Sequence, residues 1–147
     1  MSVIDVVSDA NIALKWFHEE GEQDVEPARQ LLEHHRAGRV VLHVLDLTFY
    51  EVGNALMRGR AQATAEQTAI VLGALREICM TMHADDEILR DAAELVAEHG
   101  LTFCDAAYAA VARRLDAPLA TLDKLLLGTG LGIRPDKLLA QLNEADV

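Results

Sequence analysis

The sequence predicts a single α/β domain, with a mostly parallel sheet that helices cover on both faces. Short apolar runs of buried-strand type alternate with single helices or helix pairs along the chain, and this alternation is typical of parallel sheets. The length of 147 residues fits one domain. The apolar content of 51% with only 4% aromatics indicates a core of Ala, Leu and Val, which suits helices packed closely on a sheet.

The first half of the chain predicts two strands and four helices. Residues 3–7 form an apolar run of buried-strand type. A helix is predicted to follow, because apolar residues recur there at helical spacing, and Gly21 is its predicted end. Those apolar residues are Ile12, Ala13, Trp16 and Phe17. The elements predicted after them are a helix over 26–37, a strand over 39–44, a helix over 46–58 and a helix over 64–80. Pro27 suits a first helical turn, Gly38 stops that helix, and Thr64 caps the last one.

The second half predicts the rest of the sheet and its covering helices. The predicted elements are an extended piece over 81–84, helices over 86–99 and 105–115, a strand over 119–122, a helical turn over 123–127 and a last helix over 135–143. Gly100 stops the first of these helices, and Pro118 separates the second from the strand. We therefore expect one domain over residues 1–147, without a repeat or a linker.

The formal net charge of −11 disfavours a simple phosphate-binding surface, because such surfaces are normally basic. The acidic residues could form solvated faces that keep a small protein soluble. Some of them could instead form a cation site, where a bound metal reverses the local sign. An acidic surface could also suit a basic protein partner. Net charge leaves these three explanations open.

Several classes of protein are disfavoured by what the chain lacks. No apolar run reaches the roughly 18–20 residues of a membrane span, and no basic region precedes an apolar one at the N-terminus. We expect a cytoplasmic protein without membrane contact. Cys79 and Cys104 lie in apolar surroundings without metal or redox spacing, which predicts two buried, reduced thiols. The six histidines lack paired zinc spacing and are expected at the surface.

Three aspartates stand at the ends of predicted elements. Asp9 follows the first strand and Asp123 the last, so both should project from the carboxyl edge of the sheet, where ligands collect. Asp105 opens a helix, where its charge meets the positive end of the helix dipole. Each of the three could simply be a helix cap. Together with Glu51 they would repel one another around one cavity unless a divalent cation or protons intervened.

Glu51 is not a cap, because it lies inside the helix predicted over 46–58. Its side of that helix also carries Leu47, Asn54, Ala55 and Arg58. This mixture predicts a polar cluster at the edge of the core. The alternative is a surface pair between Glu51 and either Asn54 or Arg58.

Asp5 interrupts an apolar strand, so it faces a polar crevice, a partner strand's edge or solvent, and we place it outside the site.

Four motifs occur in an order that resembles PIN-domain ribonucleases and, more narrowly, VapC-type toxins of bacterial toxin–antitoxin pairs. The motifs are Val-Ser-Asp-Ala-Asn-Ile-Ala-Leu-Lys-Trp-Phe (7–17), Leu-Thr-Phe-Tyr-Glu-Val-Gly-Asn-Ala-Leu (47–56), Leu-Thr-Phe-Cys-Asp-Ala-Ala-Tyr (101–108) and Pro-Leu-Ala-Thr-Leu-Asp-Lys-Leu (118–125). The resemblance covers nearly the whole chain, and four motifs in order are more specific than any one. The tail beyond Gly130 matches weakly, and no function is predicted for it.

The resemblance implies a compact parallel-sheet sandwich with an acidic Mg²⁺ or Mn²⁺ site. The family's acidic quartet falls on Asp9, Glu51, Asp105 and Asp123. The three aspartates would supply most of the metal ligation, and the glutamate would orient or deprotonate the attacking water. The supporting polar positions are Asn11, Asn54 and Thr121. Asn11 stands where Ser or Thr is commoner, and Cys104 stands where an aromatic residue often precedes the third aspartate.

The same resemblance implies endoribonuclease activity, a homodimer, and neutralisation by a cognate antitoxin. Lys15, Arg58 and Lys124 are candidates for guiding RNA, and each is equally well a surface charge. A PIN-like module that binds RNA or protein without catalysis remains open, as does a housekeeping RNA-processing nuclease. A Mg²⁺-dependent phosphatase or phosphoacceptor domain ranks last, because Glu51 on a helix has no role in such a site.

Overall fold

A four-stranded parallel sheet forms the centre of the protein in the computed structural model, which describes residues 2–145. The strands are β1 (Ile4–Ser8), β2 (Val40–Leu45), β3 (Met80–Met82) and β4 (Leu119–Ala120). Their order across the sheet is β3-β2-β1-β4, and each neighbouring pair is parallel. Because β1 and β2 lie at the centre, the segments that leave their carboxyl ends emerge in the middle of one edge.

Helices connect and cover these strands. They are α1 (Ala10–Ala13), α2 (Val25–Arg36), α3 (Asp46–Arg58), α4 (Ala65–Ile78), α5 (Asp86–His99), α6 (Phe103–Arg114), α7 (Lys124–Gly128) and α8 (Pro135–Ala145). A single 3-10 turn, Leu14–Trp16, continues α1. None of the described helices is long and apolar enough to cross a membrane.

The two faces of the sheet carry separate apolar clusters. Val6 packs in one cluster and Val7 in the other, because successive side chains of a strand point to opposite faces. The first cluster receives residues from α1 to α4 and from α8, and the second receives residues from α5, α6 and α7. This arrangement confirms the predicted α/β fold with helices on both faces of a parallel sheet.

Most predicted elements are present within one to three residues of their predicted ends. The first predicted helix is the exception, because regular structure ends at Trp16 and does not continue to Gly21. Helix α6 also begins earlier than predicted: Thr102 is its N-cap and accepts a hydrogen bond from Asp105 N (3.1 Å). Asp105 therefore lies inside the first turn and does not open the helix.

The predictions for cysteine and histidine were partly wrong. Cys79 is buried, and burial raises the pKa of its thiol to about 12, as suits an unreactive core thiol. Cys104 is exposed, because it lies in the first turn of α6 beside the carboxylates described below. His83 is exposed as expected. His43, however, is buried on β2, where its Nε2 lies 2.8 Å from Asp5 Oδ1.

Candidate active site

Asp9 is the most buried of the four carboxylates, with 5% of its surface exposed. It follows β1 directly, so the central strand fixes its position at the carboxyl edge of the sheet. Its Oδ1 accepts a hydrogen bond from Ala10 N (2.7 Å), and its Oδ2 accepts one from Thr121 Oγ1 (2.7 Å). The pKa of Asp9 is raised to about 6. Burial is the largest cause and the charges of Glu51 and Asp105 add to it, whereas the two hydrogen bonds lower the pKa.

Thr121 connects the ends of β1 and β4. It is fully buried, donates to Asp9 and accepts a hydrogen bond from Asp123 N (3.0 Å). Asp123 in turn caps α7, since its Oδ1 accepts from Leu126 N (2.9 Å). Asn11 joins the same edge by accepting from Leu122 N (3.3 Å). The cap predicted for Asp123 is therefore present, together with hydrogen bonds that tie both strand ends to one region.

Glu51 reaches the site from α3 and is half-buried. Its Oε1 accepts a hydrogen bond from the Tyr108 hydroxyl on α6 (2.7 Å). Burial raises the pKa of Glu51, the hydrogen bond from Tyr108 lowers it, and the charge of Asp105 raises it again. Glu51 thus lies at the edge of the core, as predicted, but its hydrogen-bond partner comes from a different helix. Among residues 2–145, neither Asn54 nor Arg58 forms a hydrogen bond with Glu51 and both are exposed, so neither the predicted cluster of these side chains nor the alternative surface pair is present.

Asp105 completes the group from the first turn of α6. Burial raises its pKa and the charge of Asp123 raises it further, while the Thr102 hydrogen bond lowers it. The pKa of Asp9 responds to Glu51 and Asp105, and that of Asp105 responds to Asp123. Side chains from β1, α3, α6 and the β4–α7 junction therefore share one electrostatic environment at the carboxyl edge. Their mutual repulsion is the signature of a site suited to a cation.

The donor chemistry fits a hard divalent cation. All four groups offer carboxylate oxygens, which Mg²⁺ and Mn²⁺ prefer. Within residues 2–145, no three His, Cys, Asp or Glu side chains converge closely enough to enclose a metal ion by themselves. This openness suits Mg²⁺, which keeps several waters and binds through one or two carboxylates plus a substrate phosphate. Both oxygens of Asp9 retain free lone pairs beside their hydrogen bonds.

The basic residues near the site were only partly as expected. Lys15 is 5% exposed and forms a partly buried salt bridge with Glu22 (2.9 Å), so it can neither guide RNA nor count as a surface charge. Lys15 lies on the 3-10 turn and Glu22 lies in the segment that follows it, so the two side chains pair and the amine is withdrawn from solvent. Arg58 and Lys124 are exposed as predicted. Asp5 lies outside the group, as predicted, and faces the edge of β2 through His43.

Two residues of the site were missed by sequence reasoning. Tyr108 lies on α6 and its ring is fully buried, yet its hydroxyl reaches Glu51. Thr48 lies in the first turn of α3, and its fully buried hydroxyl lies 2.7 Å from that of Tyr108. A buried tyrosine hydroxyl needs a polar partner, so a tyrosine within an Ala-rich helix was the available signal.

The fold and the site together define a class: small parallel-sheet domains that present a carboxylate quartet at the carboxyl edge. Comparison with known proteins gives the family, since the family model of the PIN domain matches residues 6–128. Ribonuclease VapC3 from Pyrobaculum aerophilum is 34% identical over 125 residues, which are 82% of this chain and 90% of that protein. Exonuclease VapC9 from the same organism is 33% identical over 105 residues, which are 71% of this chain and 79% of that protein. The chain belongs to the PIN domain family.

Solved structures agree with this assignment. The crystal structure of PAE2754 from Pyrobaculum aerophilum has a TM-score of 0.68 at 26% identity and covers 96% of this chain and 90% of that chain. A toxin–antitoxin complex from Klebsiella pneumoniae has a TM-score of 0.68 at 21% identity and covers 88% of this chain and 97% of that chain. The likeness to the second structure shows the shared fold.

Proposed function

We propose that this protein is a metal-dependent endoribonuclease and the toxin of a type II toxin–antitoxin pair. One observation carries the proposal: Asp9 and Asp123, which follow β1 and β4, are both hydrogen-bonded to Thr121 at the carboxyl edge of a PIN domain. Glu51 and Asp105 lie near enough for their charges to raise the pKa of Asp9. A relative that matches 82% of this chain is named a ribonuclease. This function also explains the net charge of −11, because part of the acidity would face a cation.

Mg²⁺ or Mn²⁺ would be held by Asp9, Asp105 and Asp123, directly or through water. When bound, such a cation lowers the pKa of a coordinated water and stabilises charge on the leaving oxygen of a phosphodiester. Asp9 is kept in one orientation by its hydrogen bonds to Ala10 and Thr121. Glu51 orients the attacking water and accepts its proton. Arg58 and Lys124 are exposed and can contact RNA phosphates.

A cleavage assay tests the activity. We expect the purified protein to cut a circular single-stranded RNA in Mg²⁺ or Mn²⁺, and chelation of the cation to abolish cutting. A circular substrate has no ends, so only internal cleavage opens it, and this separates an endonuclease from an exonuclease. Binding of the RNA with no cutting in either cation would overturn the proposed activity and favour a non-catalytic PIN module.

The cellular role needs a separate test. Expression in bacteria should arrest growth, and co-expression of the gene immediately beside it should restore growth. The Klebsiella neighbour, which shares the fold, comes from such a toxin–antitoxin complex. An active nuclease that causes no arrest would point to housekeeping RNA processing. Sedimentation of the purified protein tests the homodimer that the family resemblance implies.

Thr121→Val is expected to raise the Mn²⁺ concentration needed for half-maximal cleavage by about 10-fold, since residues that orient a metal ligand typically contribute 10–100-fold in metal affinity. The substitution preserves shape and burial but removes the hydroxyl that holds Asp9 Oδ2 and receives Asp123 N. Mn²⁺ titration of the cleavage rate measures the effect. Thr68→Val is the matched control, because Thr68 is also buried and its hydroxyl has no partner among the described residues. Equal half-maximal concentrations in the two variants would contradict this role.

A further inference from the structure

A chain of buried hydrogen bonds runs from the backbone at the end of β2 to Glu51. Leu45 N donates to Thr48 Oγ1 (3.0 Å), Thr48 Oγ1 lies 2.7 Å from the Tyr108 hydroxyl, and that hydroxyl donates to Glu51 Oε1 (2.7 Å). Thr48 and Tyr108 are both fully buried, so water does not compete for the hydrogen bond between their hydroxyls. The chain thus links a rigid strand end to a carboxylate of the site.

The hydrogen atoms that Leu45, Thr48 and Tyr108 can each donate determine the direction of donation along this chain of hydrogen bonds. A backbone N–H can only donate, so Leu45 occupies one acceptor position of Thr48 and leaves the threonine's own hydrogen for Tyr108. Tyr108 has one hydroxyl hydrogen, which is then free to point at Glu51. The opposite direction would leave the Thr48 hydrogen without an acceptor in a buried place, at a cost of about 1–3 kcal/mol.

The two carboxylate oxygens of Glu51 differ in their hydrogen bonds. Oε1 is occupied by a donor of fixed position, whereas Oε2 has no hydrogen-bond partner among residues 2–145. We propose that Tyr108 is a positioning residue, which holds Oε1 so that Oε2 remains directed to the attacking water, and that Thr48 fixes Tyr108 in turn. The inference rests on the proposed nuclease function, in which Glu51 handles that water.

Tyr108→Phe removes only the last hydroxyl of the chain. We expect kcat for RNA cleavage to fall by about 10- to 30-fold, in line with the loss of a group that orients a catalytic side chain. KM for RNA should change less than about 2-fold, since Tyr108 is buried and does not meet the substrate. Thr68→Val removes another buried hydroxyl, which has no hydrogen-bond partner among the described residues, and is expected to leave kcat unchanged.

A double-mutant cycle separates positioning from general stability. Glu51→Ala removes the group through which Tyr108 acts, so Tyr108→Phe should have no further effect on kcat in that background. Rates are measured under single-turnover conditions with excess enzyme, so that the slow variants remain measurable. Additive losses would mean that Tyr108 supports the site only by packing, and the inference would be wrong. An inactive wild type would instead overturn the proposed function, so the two failures are distinguishable.

Thr48 provides an independent test if Tyr108→Phe does not fold. Thr48→Val leaves the Tyr108 hydroxyl in place but frees it to turn, so a smaller loss in kcat, about 3- to 10-fold, is expected. Thr48→Ser restores the hydroxyl and should restore kcat to nearly the wild-type value. Equal activity of the valine and serine variants would contradict the proposed chain of positioning.

Discussion

Replacement of Asp9 by asparagine is expected to slow RNA cleavage by about 10³-fold while the fold remains intact. Asp9 is the carboxylate that directly follows the central strand β1, and both of its oxygens are held in place by hydrogen bonds from Ala10 and Thr121. The substitution removes one negative charge from the group that would hold the cation but keeps the size of the side chain. Cleavage of the circular RNA at saturating Mg²⁺ measures the loss.

Asp5→Asn is the matched control, because Asp5 lies on β1, the strand that Asp9 follows, but outside the group, and an amide can still bond to His43. Its cleavage rate should equal that of the wild type, and circular dichroism should show the same fold in all three proteins. Mg²⁺-dependent cleavage by Asp9→Asn at more than a tenth of the wild-type rate would contradict the assignment of Asp9. Glu51 and the other two aspartates would then have to form the site alone.

Sequence reasoning placed three of the four carboxylates by their relation to strand and helix ends. Asp9 and Asp123 follow strands that the structure contains, and the parallel order of the sheet brings these strand ends together, as Thr121 demonstrates. Such placement is predictable because parallel strands share one carboxyl edge. Glu51 was singled out because no cap explained it, and the structure shows it at the edge of the core.

The features that sequence reasoning missed depend on tertiary contacts. Periodicity treats Tyr108 as another buried ring, because spacing alone does not show where a hydroxyl finds its partner. Lys15 follows the aspartate motif closely, yet the turn after α1 directs its amine to Glu22. Cys104 lies in an apolar stretch of sequence but on the exposed side of a first helical turn. For Lys15 and Cys104 the position at the end of an element decided the outcome, and element ends are the least predictable part of a sequence.

The free energy of unfolding of the metal-free protein is expected to decrease as the pH rises from about 5 to about 7.5. The pKa of Asp9 is raised from 3.8 to about 6, and the pKa values of Glu51 and Asp105 are also raised. The native state therefore binds more protons than the unfolded state in this range, so stability is lost as the pH rises through the native pKa. For Asp9 alone the loss is about 1 kcal/mol, and urea unfolding in a chelator measures it.

Asp9→Asn isolates the contribution of this one carboxylate. The asparagine variant should be more stable than the wild type at about pH 7.5, because it no longer carries a buried charge beside Glu51 and Asp105. At about pH 5 this difference in the free energy of unfolding should be smaller by about 1 kcal/mol, since Asp9 of the wild type is then mostly protonated. Mg²⁺ should stabilise the wild type at the higher pH, since a cation binds the ionised group in the native state alone, and should stabilise the variant much less. Parallel pH profiles of the two proteins in chelator would show that Asp9 carries no buried charge. The two results expected for Asp9→Asn, slower cleavage and higher stability without metal, would together show that function and stability oppose each other at this residue, as expected where charge is assembled to receive a cation.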